Sequence, residues 1–262
     1  MTVTATDRVA VVTGGGRGIG RGIALALADM DLAVVIGWSA DEASALATAA
    51  EIEKKGVPAL CLQGDVGDPG TSAMLARVAE SELGRLAVWV NNAGVSVLAP
   101  LVETTPEAMA RMVEVNLLGT FRGTQTAAAT MVAAGRGGRI VNIASDLGIR
   151  AAPLLAGYSA TKFGVVGLTQ AAAIELAPSG ITVNAVCPGT VETDMVLAEE
   201  AAEARLRATS PGDVHDRLLA AVPAARLCTP EDVASLVTWL AGDDAGHVTG
   251  QAICSNGGSI LH

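Results

Sequence analysis

The 262-residue sequence predicts an α/β fold: a doubly wound parallel sheet of about seven strands, with helices on both faces to make three layers. Three observations carry that prediction. Short, wholly apolar runs alternate with longer segments of helical period. Those runs do not alternate with polar residues, as strands buried on both faces would not. The first run also passes through a glycine-rich turn into a helix.

Apolar runs at 8–13, 32–36, 57–63, 86–91, 139–144, 181–186 and 251–254 read as the strands. Helical periodicity falls between them, at 19–30, about 41–55, about 69–83, 106–134, about 158–177 and 230–241. Right-handed crossovers between such units wind the sheet in both directions and leave ligand sites at the carboxyl ends of the strands. No linker or repeat marks a second domain, so 1–262 is read as one domain. Its exception is a polar, Ala-rich stretch at 192–225, open to two readings: a solvated helical excursion or a lid over the site.

Composition narrows the function. Half the residues are hydrophobic and 17% are charged, enough for a large core. Only 2% are aromatic and the net charge is −10, which opposes base stacking and phosphate-backbone binding, so no nucleic acid partner is expected. Residues 1–8 carry no basic-then-apolar signal pattern, and no apolar run reaches the roughly 18 residues of a membrane span. A soluble cytoplasmic protein is the expectation. Cys61, Cys187, Cys228 and Cys254 form no CxxC pair and read as reduced thiols. His215, His247 and His262 stand in no metal-binding spacing, so no metal is expected.

Two motifs carry chemistry. Tyr158, the only tyrosine, precedes Lys162, one of three lysines, by one helical turn. A cation on the same helix face would favour the ionised phenol and lower its pKa, as a tyrosine acid/base requires. The second motif is Thr13-Gly14-Gly15-Gly16-Arg17-Gly18-Ile19-Gly20, a TGxxxGxG turn between strand and helix. Its glycines permit close backbone approach, and the helix N-terminus behind them favours a pyrophosphate.

With these, the sequence resembles the short-chain dehydrogenase/reductase family in its single-domain form, over nearly the whole chain. The resemblance also rests on Asp65-Val66, Asn91-Asn92-Ala93-Gly94, Asn116, Ser145 and Pro188-Gly189-Thr190-Val191-Glu192-Thr193, all in the family's order. It implies a Rossmann-like fold and an NAD(P)(H)-dependent oxidoreductase that interconverts a ketone and a secondary alcohol. Tyr158 would be the acid/base, Lys162 would tune it and hold the nicotinamide ribose, and Ser145 would hydrogen-bond the substrate oxygen. Asn116 would kink its helix and support a proton relay. Gly14, Arg17, Gly18, Ile19 and Gly20 would hold the pyrophosphate side. Asp65 and Val66 would meet the adenine, with Asn92, Ala93 and Gly94 along the adenosine side. Pro188, Gly189, Val191 and Thr193 would border the carboxamide. Asp146 is open to two readings, a solvated turn carboxylate or a border of the substrate pocket.

An acid at the end of the second strand normally binds the adenosine ribose and repels a 2′-phosphate. Trp38 stands there instead, with Ser39 beside it and Arg17 in the turn, which favours NADP(H) over NAD(H). Asp41 is the residue that would favour NAD(H). The segment from Tyr158 to Thr169 is similar to relatives acting on small polyols, acetoin or sugars, and also fits reductases of 3-oxoacyl thioesters. The resemblance further implies a homotetramer or homodimer joined through the helices at 106–134 and 158–177. A dinucleotide-binding sensor or scaffold would tolerate loss of Ser145, Tyr158 or Lys162, and all three are present.

Overall fold

The computed structural model describes residues 7–261. Residues 1–6 and His262 lie outside it, and with them the leading segment screened for a signal pattern and one of the three histidines.

The strands are β1 (Arg8–Thr13), β2 (Ala33–Trp38), β3 (Ala59–Gln63), β4 (Arg85–Asn91), β5 (Gly138–Ile143), β6 (Ile181–Pro188) and β7 (Ala252–Ser255). All pair in parallel, in the order β3-β2-β1-β4-β5-β6-β7. The sheet is wound outward in both directions from β1 and β4, and the crevice opens where the order reverses.

Successive residues of a strand point to opposite faces, so each apolar strand feeds two cores. Ala10 and Val12 of β1 face one core with Ile23 and Leu27 of α1 (Gly18–Ala28) and Ile52 of α2 (Glu42–Lys54). Val233 and Val237 of α9 (Pro230–Ala241) complete that layer. Val9 and Val11 face the other core, with Leu75 of α3 (Thr71–Val78), Met131 of α5 (Thr120–Ala134) and Ala173 of α6 (Ala156–Leu176).

The helix expected at 106–134 has an irregular centre. It opens as α4 (Pro106–Met112), capped by the Thr105 side chain on the Ala108 amide, and widens into a π-helical stretch, Val113–Gly119. It then continues as α5 to a left-handed Gly135 at φ 65°. A 3.6-residue pattern cannot register such a local widening, and Asn116 lies inside it. The helix expected at 69–83 likewise ends on a π-turn, Ala79–Leu83. The polar stretch at 192–225 holds two helices, α7 (Asp194–Arg207) and α8 (Pro211–Ala220). The second starts at a capping box between Ser210 and Asp213.

A chain of buried amides locks β4, β5, α5 and α6 together. Trp89 Nε1 donates to Asn91 Oδ1 at 2.7 Å, and Asn91 Nδ2 donates to Asn142 Oδ1 at 2.8 Å and to Thr124 Oγ1 at 3.1 Å. Asn142 Nδ2 then donates to Thr169 Oγ1 of α6 at 2.9 Å. Satisfied polar groups of this kind specify one packing, because any slip leaves buried donors without partners. The helix that carries Tyr158 is thereby set against β5.

Candidate active site

A cavity of about 630 Å³ lies over the carboxyl ends of the strands, within the usual range for small-molecule sites. It runs from the glycine-rich turn to the first turns of α6. The turn is tight: a Cβ on Gly20 would lie 2.1 Å from the Gly14 carbonyl oxygen, so only glycine fits. Gly14 and Gly18 adopt φ of 63° and 52°. Arg17 occupies the N-cap of α1 without a side-chain cap. The amides of Gly18, Ile19 and Gly20 thus head the helix with no intrahelical partner, and all three residues line the cavity.

The loop after β4 is tied to this turn. Thr13 Oγ1 accepts from the amides of Asn92 (3.0 Å) and Ala93 (3.1 Å), and Asn92 Nδ2 donates to the carbonyls of Thr13 (2.9 Å) and Gly14 (3.0 Å). Asn92 was expected to meet the adenosine side. It lines the cavity with Ala93 and Gly94, but its amide is spent on shaping the turn.

Asp65 and Val66 line the same wall. The Asp65 carboxylate is held by Arg111 of α4 and by the Gly67 amide at 2.8 Å. Trp38 and Ser39 border the cavity at the end of β2. Asp41 also borders it, but its carboxylate caps α2, accepting from the Ser44 amide at 3.0 Å and the Ser44 hydroxyl at 2.7 Å. Pro188, Gly189 and Val191 line the opposite stretch after β6, and the Thr193 methyl group faces Gly18.

The reactive end gathers Ser145, Tyr158 and Lys162. Ser145, buried at the end of β5, accepts from the Leu147 amide at 3.1 Å and donates to Asp146 Oδ1 at 3.3 Å. Lys162 is 4% exposed, and its Nζ donates to the Ile143 carbonyl at 2.8 Å, 5.6 Å from the centre of the Tyr158 ring. Burial pulls this ammonium down to about 8. Asn116 lies beneath the cavity wall and is fully buried. Its side chain exchanges two 2.8 Å hydrogen bonds with the Val95 backbone and donates to Thr161 Oγ1 at 3.1 Å.

The phenol departs from expectation. Burial raises the Tyr158 pKa well above the usual value of about 10, and the Glu199 carboxylate raises it further. A hydrogen bond with Ser145 opposes the shift, while Asp146 and Cys187 add to it. The helical spacing implied a phenol lowered by Lys162. Desolvation and acidic neighbours win, and the lysine is spent on Ile143. The nearby Cys187 thiol is pushed up to about 12 by burial, so it supplies no thiolate at neutral pH.

A nicotinamide dinucleotide fits these residues: the cradle at Gly14, Gly18 and Gly20 admits backbone approach, and the cavity is continuous from it to Tyr158. The short chain dehydrogenase profile matches residues 8–204. The chain belongs to the short-chain dehydrogenases. It is 40% identical to a short-chain dehydrogenase/reductase of Armillaria gallica, over 99% of this chain and 98% of that one. It is 39% identical to the L-2,3-butanediol dehydrogenase of Corynebacterium glutamicum (97% and 99% covered). Identity to the 3-oxoacyl-[acyl-carrier-protein] reductase of Staphylococcus aureus is 38% (96% and 98%). Among solved structures, acetoin dehydrogenase from Enterobacter cloacae matches with a TM-score of 0.84 at 35% identity, covering 98% of this chain and 96% of that one. This short-chain dehydrogenase is an oxidoreductase that interconverts a ketone and a secondary alcohol, and its family binds NAD(P).

Sequence reasoning gave Glu199 no role and left Asp146 undecided. Both line the reactive end with Tyr158. The four-residue spacing of Met195, Glu199 and Glu203 was the available signal, since it puts them on one face of α7.

The raised phenol has a consequence for stability. The protonated Tyr158 contributes in full below the unfolded-state value of about 10, and that contribution is lost as pH rises through the higher folded-state value. Urea unfolding across alkaline pH should therefore show wild type losing stability faster than Tyr158→Phe above about pH 10. Parallel curves would contradict the placement of this phenol.

Proposed function

We propose that the protein reduces a small diketone or hydroxyketone with NADP(H) in preference to NAD(H), using Tyr158 as proton donor. The convergence of Ser145, Tyr158 and Lys162 at the end of a cavity that begins at the dinucleotide cradle carries this reading. The Tyr158 hydroxyl, held protonated at neutral pH, donates to the substrate oxygen. Ser145 turns its hydroxyl from Asp146, at a long 3.3 Å, to that same oxygen and stabilises the charge developing there. Lys162, seated on Ile143, would hold the ribose of a bound dinucleotide, and Asn116 fixes the loop after β4 through Val95. A bound nicotinamide supplies the hydride in reduction and accepts it in oxidation. Helices α7 and α8 cover the substrate end as a lid, through Glu199 and Leu218.

Several features support the phosphorylated cofactor. Trp38 leaves the end of β2 without a carboxylate, and Asp41 is engaged in capping α2. Among the described residues Arg17 makes one ion pair, with Asp194 at 3.4 Å, and both side chains are mostly exposed. Such a pair contributes roughly 1 kcal/mol at most, so a phosphate can displace it. The 3-oxoacyl thioester reading is supported by the Staphylococcus aureus relative. A carrier protein would want a basic rim at the cleft, and α7 brings to the cavity Glu199, which has no ion-pair partner among the described residues. A cytoplasmic setting accords with four cysteines that form no disulfide among the described residues.

A homotetramer or homodimer is supported by large apolar side chains left open on the two long helices: Phe121 and Val132 on α5, Phe163 and Ile174 on α6. Sedimentation at micromolar concentration should give a dimer or tetramer that Phe163→Glu dissociates; a monomeric wild type would overturn the assembly.

The reaction is tested by dinucleotide absorbance with a panel of diketones, hydroxyketones, cyclic ketones, sugars and 3-oxoacyl thioesters. The small diketone or hydroxyketone should give the highest kcat/KM, at least about tenfold higher with NADPH than NADH, and Trp38→Asp should reverse that order. A wild-type preference for NADH would defeat the cofactor assignment, and a preference for thioesters would defeat the substrate assignment.

A further inference from the structure

The reactive end carries two carboxyl groups that proton and hydride transfer do not require. Asp146 follows Ser145 directly, and its Oδ1 accepts the Ser145 hydroxyl. Glu199 comes from α7, a separate element, and lies near Ser96 of the loop after β4. Both line the cavity with Tyr158.

Their neighbours on α7 have side-chain partners of opposite or titratable type and they do not. Glu203 is bridged by Arg207 and by Arg217, the latter at 2.7 Å. Glu200 is paired with His215 at 2.9 Å. Among the described residues Asp146 and Glu199 form no ion pair. Arg150 acts on Asp146 only at a distance, and Lys162 is turned to Ile143. Leu147, Leu155, Leu218 and Val222 supply apolar wall at this end, and of the two arginines that also line the cavity there, Arg217 is paired with Glu203.

Uncompensated carboxyl oxygens among apolar walls accept hydrogen bonds and repel negative charge. The Ser145–Asp146 contact gives the arrangement a direction. When a ketone binds, Ser145 turns its proton to the carbonyl oxygen and vacates Asp146 Oδ1. A hydroxyl on the carbon beside that carbonyl can then take the vacated acceptor, with Glu199 as a second acceptor from the lid.

Resting on the reading above, we propose that Asp146 and Glu199 are the specificity-determining pair. They hold a hydroxyl adjacent to the reacting carbonyl and exclude ketones that bear a carboxylate or phosphate. The site itself stands on Ser145, Tyr158, Lys162 and the family; the pair selects what enters it.

The test is kcat/KM for reduction of acetoin, butanone and acetoacetate by wild type, Asp146→Asn and Glu199→Gln. These ketones differ only modestly in size, one adding a hydroxyl and one a carboxylate. Wild type should favour acetoin over butanone by at least about tenfold and reduce acetoacetate most poorly. Each variant should lose at least about fivefold of the acetoin preference while its acetoacetate reduction rises at least about tenfold. Opposite changes for two substrates cannot come from general damage. Dinucleotide affinity, read by tryptophan fluorescence, verifies that each near-isosteric variant is folded, and either variant alone decides the matter. Ratios unchanged in the variants overturn the pair while leaving the ketone reductase intact. A wild type that reduces neither acetoin nor butanone defeats the functional reading, and the pair with it.

Discussion

A buried ammonium organises the reactive end of this protein. Lys162 sits almost wholly out of solvent, and a lone charge there would be costly without a partner. The Ile143 carbonyl provides one at 2.8 Å, at the very end of β5. That contact fixes the height of α6 against the sheet, and two others hold the same helix. Thr169 is bonded by Asn142 of β5, and Thr161 is bonded by Asn116 from the π-helical stretch. With α6 pinned at three points, Tyr158 stands one turn before the lysine and beside Ser145. Each half of the site thus depends on a side chain whose main work is to hold backbone.

The same burial bears on the phenol. Half-buried and facing Glu199 and Asp146, Tyr158 keeps its proton through the neutral range, as an ordinary phenol does. The spacing of Tyr158 and Lys162 suggested an electrostatic pair in which the cation ionises the phenol. The folded chain turns the cation to a carbonyl and surrounds the phenol with acids, so desolvation outweighs the attraction.

Much of this was legible in the residues. Seven apolar runs gave seven strands, because strands buried on both faces leave an unmistakable composition. The glycine turn was legible because Gly20 touches the Gly14 carbonyl so closely that no other residue fits. What escaped notice depends on contacts between distant segments. Asn92 reads as a ligand-facing amide until Thr13 and Gly14 are seen to claim it. The π-helical widening around Asn116 keeps a helical composition and so leaves no trace in periodicity. Glu199 was one of several acids in a polar stretch, and only the packing of α7 over the cavity separates it from Glu200, bonded to His215, and Glu203, paired with Arg207 and Arg217.

The central claim is that Tyr158 delivers the proton. Steady-state ketone reduction by Tyr158→Phe, with dinucleotide affinity measured in parallel, tests this most directly. The variant keeps the ring and its packing and removes only the acidic hydrogen. The account predicts a fall in kcat of at least about 100-fold, with dinucleotide affinity changed by no more than about twofold. Turnover retained within about threefold of wild type would contradict it and return the proton donor to some other group in the cavity.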